Sequence, residues 1–395
     1  MKKFRVLALV MVLLLAFSIT GYAKGIEVSG SINSDLVGDT DNGDISDREK
    51  VNLVLERGFG FDANMHLDLE IESDHNDQTE TKFHEAYLNY YTQNMDWRIG
   101  KQEISWGSAY KIKPTDYFNP KDLTSLKPLD DKLGVKAIKG TYYAPGRVEI
   151  TGVVTPFFKL TDKTIENLSM QTGSFITLDD SNPSEIESGK DDVNNIQGGF
   201  KVTKRSFHGY DLSLSTYHGR DKLPVVDSLD DSSDDSSDDS SDTQVTVQLV
   251  YPEVNRLGFD IIGDIGDIGV WTEMAYSQYK DDQYDNALET AIGADYKFDN
   301  DLYLVGQGYY KEGRTGNEAE VKAINLYASK PVLDFHEIEV TTLYDIESET
   351  YLIEPQFNYS LANSVELQLG GTLVDSQGDG ASSGLVSTLG QDRVY

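Results

Sequence analysis

From residue 26 onward one pattern governs the sequence: apolar and polar residues alternate with period two, segment after segment. In Met65-His66-Leu67-Asp68-Leu69-Glu70-Ile71-Glu72 every odd position is apolar and every even one is polar or acidic. Val51, Leu53 and Leu55 repeat it, as do Ala86, Leu88 and Tyr90, then Leu288, Thr290, Ile292, Ala294 and Tyr296, then Val365, Leu367 and Leu369. Successive side chains of a strand point to opposite faces, so each segment is a ribbon with one greasy and one charged side. The spacing predicts eighteen strands, at 26–36, 50–57, 63–73, 82–92, 96–104, 133–143, 147–157, 195–204, 208–218, 244–263, 269–279, 287–298, 301–311, 320–330, 335–345, 349–359, 363–374 and 385–395. Residue 252, a proline inside the tenth, predicts a bulge or an extension beyond the sheet there.

The connections take two forms. Short turns such as Ala144-Pro145-Gly146, Gly266-Asp267-Ile268-Gly269 and Asp299-Asn300 join even to odd segments, while the opposite end carries 105–132, 158–194 and 219–243. A soluble sandwich would press its greasy faces together, whereas a closed barrel turns them to lipid and satisfies every backbone group. Tyr87, Tyr90, Tyr91, Tyr142, Tyr143, Tyr309 and Tyr310 lie near strand ends and suit interfacial girdles. The expected fold is therefore all-β, a closed antiparallel up-and-down transmembrane barrel over 24–395 of about 18 strands, with 16 as the nearest alternative.

An export signal supports that placement. Lys2, Lys3 and Arg5 precede an apolar run from Val6 to Phe17, and Gly21-Tyr22-Ala23 sets small residues at a cleavage site, so 1–23 is expected to be removed near Ala23. No later apolar run approaches the roughly 20 residues of a membrane helix. Composition excludes other classes. With 34 Lys plus Arg against 67 Asp plus Glu the chain repels nucleic acid, and with no cysteine it has no disulfide, thiol nucleophile or Cys-ligated metal.

Two stretches resemble a known group. Arg98-Ile99-Gly100-Lys101-Gln102 with Trp106-Gly107 and Asp116-Tyr117-Phe118-Asn119-Pro120-Lys121-Asp122 forms the first, and Leu257-Gly258-Phe259-Asp260 with Gly269-Val270-Trp271-Thr272-Glu273-Met274-Ala275-Tyr276 the second. They look like the large outer-membrane porin-like barrels of Gram-negative envelopes, including the alginate-export-like barrels and a related barrel family of unknown function. The resemblance implies a pore in outer-membrane lipid, insertion by the barrel-assembly machinery and compatibility with a homotrimer. Such barrels usually close on an alternating strand ending in Phe, whereas this chain ends Gln391-Asp392-Arg393-Val394-Tyr395 with poor alternation before it.

The function expected is passive diffusion of small hydrophilic solutes. Segment 101–139 holds eight Lys against five Asp or Glu inside a chain of charge −33. Part of 105–132 is expected to fold into the lumen and narrow it, the bland alternative being a loop packed on the rim. The expected constriction residues are Arg98, Gln102, Trp106, Tyr110, Lys111, Lys113, Asp116, Tyr117, Asn119 and Lys121, with lysines and aromatic faces positioned for a carboxylate or a sugar ring. Elsewhere the polar face is acidic, through Asp68, Glu70, Glu72, Glu85, Glu273, Glu289, Asp295, Glu337, Glu339 and Glu366, which predicts weak cation preference in the vestibules. A non-conducting structural or adhesive surface barrel is the runner-up.

The rest of the sequence adds no chemistry. Residues 227–242 contain eight Asp and seven Ser and place a disordered outer loop within 219–243. Asp39-Thr40-Asp41-Asn42-Gly43-Asp44-Ile45-Ser46-Asp47 fails the EF-hand spacing, with Gly43 at a ligand position and Asp44 where glycine is needed. Gly380-Ala381-Ser382-Ser383-Gly384 fits G-x-S-x-G without a strand-to-helix elbow, and the six histidines lack metal spacing, so neither an enzyme nor a cofactor or metal is expected.

Overall fold

A computed structural model describes residues 25–39, 43, 45–74, 79–122, 125, 127, 129–156, 175–178, 196–222, 225–231, 245–315, 320–333, 335–376 and 393–394. The strands are β1 (Ile26–Asp39), β2 (Ile45–Phe59), β3 (Ala63–Asp74), β4 (Thr79–Tyr91), β5 (Met95–Gln102), β6 (Val135–Ala144), β7 (Val148–Thr155), β8 (Phe175–Leu178), β9 (Gln197–Phe207), β10 (Tyr210–Arg220), β11 (Val225–Asp231), β12 (Val245–Val250), β13 (Glu253–Ile265), β14 (Ile268–Tyr279), β15 (Ala287–Lys297), β16 (Tyr303–Lys311), β17 (Val321–Val332), β18 (His336–Asp345), β19 (Thr350–Ala362), β20 (Val365–Ser376) and β21 (Arg393–Val394). No described helix is long and apolar enough to cross a membrane.

Seventeen long strands form one antiparallel up-and-down run, β1 to β7, β9, β10 and β13 to β20, each paired with the next. Seventeen of the eighteen segments expected from the alternation therefore have a long strand in register with their neighbours. Of the eighteenth, the described residues are β21, whose two residues pair with Gly38 and Asp39 of β1 and with Gly371 and Thr372 of β20; the rest of 385–395 lies outside the described residues. Tight connections of two to five residues lie at one end, from Gly60-Phe61-Asp62 to Asn363-Ser364, and the long ones lie at the other.

Two expectations need correction. The tenth segment is two strands, because the chain breaks at Tyr251-Pro252: proline has no amide hydrogen for the ladder, and its carbonyl instead accepts the Asp221 amide at 2.9 Å. The first part of the acidic segment is paired too. β11 joins β12 antiparallel, and β12 joins β8 in parallel, as a separate three-stranded sheet. Residues 232–244 lie outside the described residues.

Burial runs opposite to that of a water-soluble sheet. Leu257 is 58% exposed and Ile292 62%, alongside Leu214, Leu326, Leu369 and many other outward apolar side chains. On the opposite face Glu273 is 0% exposed and Gln307 2%, with Asp260, Asn325, Ser215 and Thr372 also buried. The inner face curls around segment 103–134, which touches β10, β14, β16 and β18.

One motif glycine is set by the ladder itself. Gly100 has φ +135°, and a Cβ there would lie 2.2 Å from the Ala86 carbonyl oxygen of β4. Gly100→Ala is expected to lower unfolding stability by about 1–3 kcal/mol. Gly152→Ala, where a Cβ meets open space, should stay within about 0.5 kcal/mol of wild type in the same denaturant titration.

Candidate functional site

The inner segment leaves β5 at Gln102 and returns to β6 at Val135. Its course is fixed by side chains of the wall. The Glu273 carboxylate accepts hydrogen bonds from the Ser108 amide (2.8 Å), the Ala109 amide (2.9 Å), the Thr115 amide (2.5 Å) and the Thr115 hydroxyl (2.8 Å). Four donors on one buried carboxylate replace the water that the charge and the amides lose. Gln307 continues the contact: its Oε1 accepts from the Tyr110 amide (2.7 Å) and the Trp271 indole (2.8 Å), and its Nε2 donates to the Tyr110 (2.9 Å) and Ile112 (3.1 Å) carbonyls. Gly107 lies against Glu273 at φ +89°, where a Cβ would stand 2.4 Å from Oε1. Both Trp106-Gly107 and the Glu273 stretch are thereby halves of one contact.

The aromatic residues serve as packing. Trp106, Tyr117 and Phe118 are buried with Tyr217 in one apolar cluster with Ile104 and Val254. Trp106 meets Phe118 edge-on at 5.0 Å, and the Tyr117 hydroxyl lies 3.3 Å from Ser215. They do not offer ring faces to a sugar, because the segment needs an apolar underside to cover the wall. Tyr110 is half-buried, 5.6 Å from the Tyr327 ring, and burial raises its phenol well above the ordinary value.

The lysines are likewise engaged. Lys111 pairs with Asp130 at 3.0 Å and reaches the Thr341 hydroxyl at 3.3 Å, while Lys132 pairs with buried Asp116 at 2.6 Å. Lys121 donates to the Leu129 carbonyl, and burial first, then Lys222 and Lys132, bring its ammonium down to about 8. Lys113 is half-buried, its carbonyl accepting the Asp116 amide. Asn119 ties the two ends of the segment together, accepting from the Ile104 amide (2.7 Å) and donating to the Leu133 carbonyl (2.7 Å). Gln102 is fully buried and donates to the Ala137 carbonyl, and Arg98 lies over the Tyr87 ring at 3.9 Å with its Nε on Asn89.

Open space remains on the other side of the segment. A cavity of about 330 Å³ separates residues of 103–134 from the inner wall of β2, β3 and β4. Asp68, Glu70, Glu72 and Glu85 line it from the wall and Glu103, Asp122, Asp130 and Asp131 from the segment. Arg48, Lys50, Lys82, His84 and Lys132 are interspersed, so carboxylates outnumber Lys and Arg by eight to four. A register shift between Asp68 and Leu69 lets His84 and Glu85, consecutive in β4, both reach the cavity. Glu70 holds His84 at 3.3 Å, Asp68 accepts from Asn52 at 2.7 Å, and Glu85 accepts the Glu103 amide at 2.8 Å.

The acidic wall is thus divided. Asp68, Glu70 and Glu85 line the open space, whereas Glu273 is a buried anchor, because the segment crosses directly above it. Glu289 accepts from the Tyr309 hydroxyl (3.2 Å) and Glu339 from Asn358 (3.0 Å), both away from that cavity. Arg48 and Lys50 occupy polar positions of the β2 alternation and were passed over; Lys82 shares the even phase of Ala86, Leu88 and Tyr90 and turns inward only through the register shift in β4. The sequence reading also passed over Asp221, where three ends of the sheet meet. That carboxylate takes Arg256 at 2.8 Å, Arg314 at 3.3 Å and the Tyr279 hydroxyl at 2.7 Å. Burial would raise its carboxyl, but Arg256, Arg314 and Lys311 outweigh that and hold it far below the usual range.

No protein-family model and no curated protein matches the chain, so the likeness to alginate-export-like barrels rests on the quoted motifs alone. Among solved structures the chain is similar to OmpT, an outer membrane protein of Vibrio cholerae, at 11% identity and TM-score 0.46, covering 93% of this chain and 96% of that one. It is also similar to a mutant Rh. blastica porin (13% identity, TM-score 0.43, 93% and 97% covered). A third is an anion-selective porin from Comamonas acidovorans (13% identity, TM-score 0.43, 89% of each chain covered).

Glu273→Gln brings amide hydrogens against the backbone amides of 108, 109 and 115 and is expected to lower stability by about 2–4 kcal/mol. Denaturant titration beside a Glu339→Gln control checks this. Lys121 gives a pH signature. Its folded ammonium releases its proton near 8 while the unfolded chain holds it to the ordinary 10.5. Stability contributed through this group therefore rises as pH climbs between those values. Lys121→Met should remove that rise, measured as the wild-type minus variant difference from pH 7 to 10.

Proposed function

We propose that the chain is an outer-membrane β-barrel that forms a passive, water-filled pore for small hydrophilic solutes, narrowed from one side by residues 105–132. The observation that carries this is the inverted burial: outward side chains such as Ile292 and Leu257 are apolar and exposed, and inward ones such as Glu273, Asp260 and Gln307 are polar. A surface of that kind is stable against hydrocarbon, where the fully paired ladder leaves no backbone group unmet. In this reading 1–23 direct export and are removed near Ala23, and β21 bridges β20 and β1, while 385–392 and 395 lie outside the described residues.

The solute path is the charged cavity between β2–β4 and the inner segment. Its excess of carboxylates favours cations, within the roughly 10 Å over which 0.1 M salt leaves such fields effective. A local carboxylate or sugar contact at the constriction loses its support, since Lys111, Lys121 and Lys132 are engaged and Trp106 and Tyr117 are buried.

Planar-bilayer recordings under a salt gradient should give open-channel conductance with a reversal potential of cation-preferring sign. Asp130→Asn with Asp131→Asn should weaken that preference; absence of conductance would favour the structural barrel. In lipid vesicles Ile292→Arg is expected to destabilise the fold by about 2–4 kcal/mol if that site lies near the midplane. An effect below about 0.5 kcal/mol, normal for an exposed site in water, would speak against lipid contact.

A further inference from the structure

Several cations on the sheet margin sit beside carboxylates. Lys280 meets Glu253, Lys322 lies between Glu320 (3.1 Å) and Glu347, and Lys297 meets Asp301 at 3.1 Å. Lys101 of β5 and Lys136 of β6 differ. They are direct register partners on adjacent strands, and neither has an ion pair with a carboxylate among the described residues. Lys101 donates to the Phe83 carbonyl, which neutralises no charge, and Lys136 is exposed.

Their direction follows from the ladder. Ile99 and Ile138, also direct partners, lie two residues from Lys101 and Lys136 and therefore on the same face. Ile99 is 50% exposed and Ile138 47%, while the alternate positions Gln102 and Ala137 are buried. Phe83 and Leu88 of β4 extend the exposed apolar surface on the same side. Two ammoniums thus stand at the end of β5 and β6 that leads into the long connection, at the edge of an apolar patch.

Like charges directly opposite on neighbouring strands repel each other. In a chain of charge −33 the described carboxylate that acts on the pair is Asp122, through Lys101, and it only partly offsets the repulsion from Lys136. The patch beside it matches acyl chains, and lysines at such a boundary extend their ammoniums to the headgroup level. We propose that Lys101 and Lys136 together bind the phosphate of a lipid headgroup in the leaflet on the long-connection side, with an acyl chain along Ile99, Ile138 and Phe83. The proposal rests on the barrel reading and adds a lipid site to it.

The test uses the full chain refolded in detergent and mixed with phosphatidylglycerol or phosphatidylcholine of identical acyl chains, with bound lipid counted by native mass spectrometry. Wild type should retain phosphatidylglycerol preferentially, and the preference should fall about fivefold for each lysine changed to glutamine. Lys101→Arg with Lys136→Arg should keep it, and Lys280→Gln should leave it unaltered. An equal preference in wild type and the Lys101→Gln/Lys136→Gln variant would overturn the site. Inorganic phosphate binding as well as the lipid would overturn its assignment to a lipid. Heat-modifiable gel migration, run on every sample, reports the barrel: its absence in wild type sinks the barrel reading and this site with it, whereas its presence with no lysine-dependent preference sinks the site alone.

Discussion

The structure depends on an unbroken hydrogen-bonded ladder from β1 to β20. Once each strand is paired in register with its neighbours, the direction of its side chains follows from position along the strand, and one residue of slip would exchange the two faces. This single constraint places the leucines and isoleucines outside and the acids and amides inside. It also explains why a chain with 67 acidic residues can fold without an internal apolar layer of ordinary size. No second sheet covers this apolar surface among the described residues.

Within that frame the inner segment is organised by a small number of buried polar groups. Glu273 and Gln307 gather the backbone of 108–115, Asn119 ties 104 to 133, and the Trp106, Tyr117 and Phe118 rings fill the space against Tyr217. The segment therefore presses toward β10–β18 and leaves water-accessible space against β2–β4. The position of the segment decides which carboxylates remain electrostatically active. Glu273 is consumed by amides, while Asp68, Glu70, Asp130 and Asp131 keep a solvent-facing side.

Much of this was legible from residue order. Met65 to Glu72 announces its strand and its faces, whereas Pro252 announced only a bulge or an extension where the fold ends β12 and begins β13. The expectation for 105–132 rested on its charge and aromatic content, and the fold gives those residues different work. Lysines and aromatics suggested ligand contacts. In the fold Lys132 meets Asp116, Lys111 meets Asp130, and the rings meet one another. Gly100 and Gly107 stood in recognisable motifs, but only the backbone approach to Ala86 and the carboxylate approach of Glu273 show what their missing Cβ atoms allow.

By itself, then, the sequence determined the two-faced ribbons, their order and, outside the register shifts, the side of the sheet on which their residues lie, because period two is a local property of extended backbone. Tertiary structure decided which inward residues meet water and which meet each other. Glu273 and Ser108 are 165 positions apart, and Lys111 and Thr341 are 230 apart. Such contacts are created by the curvature of the sheet around a returning segment, and no local pattern encodes them.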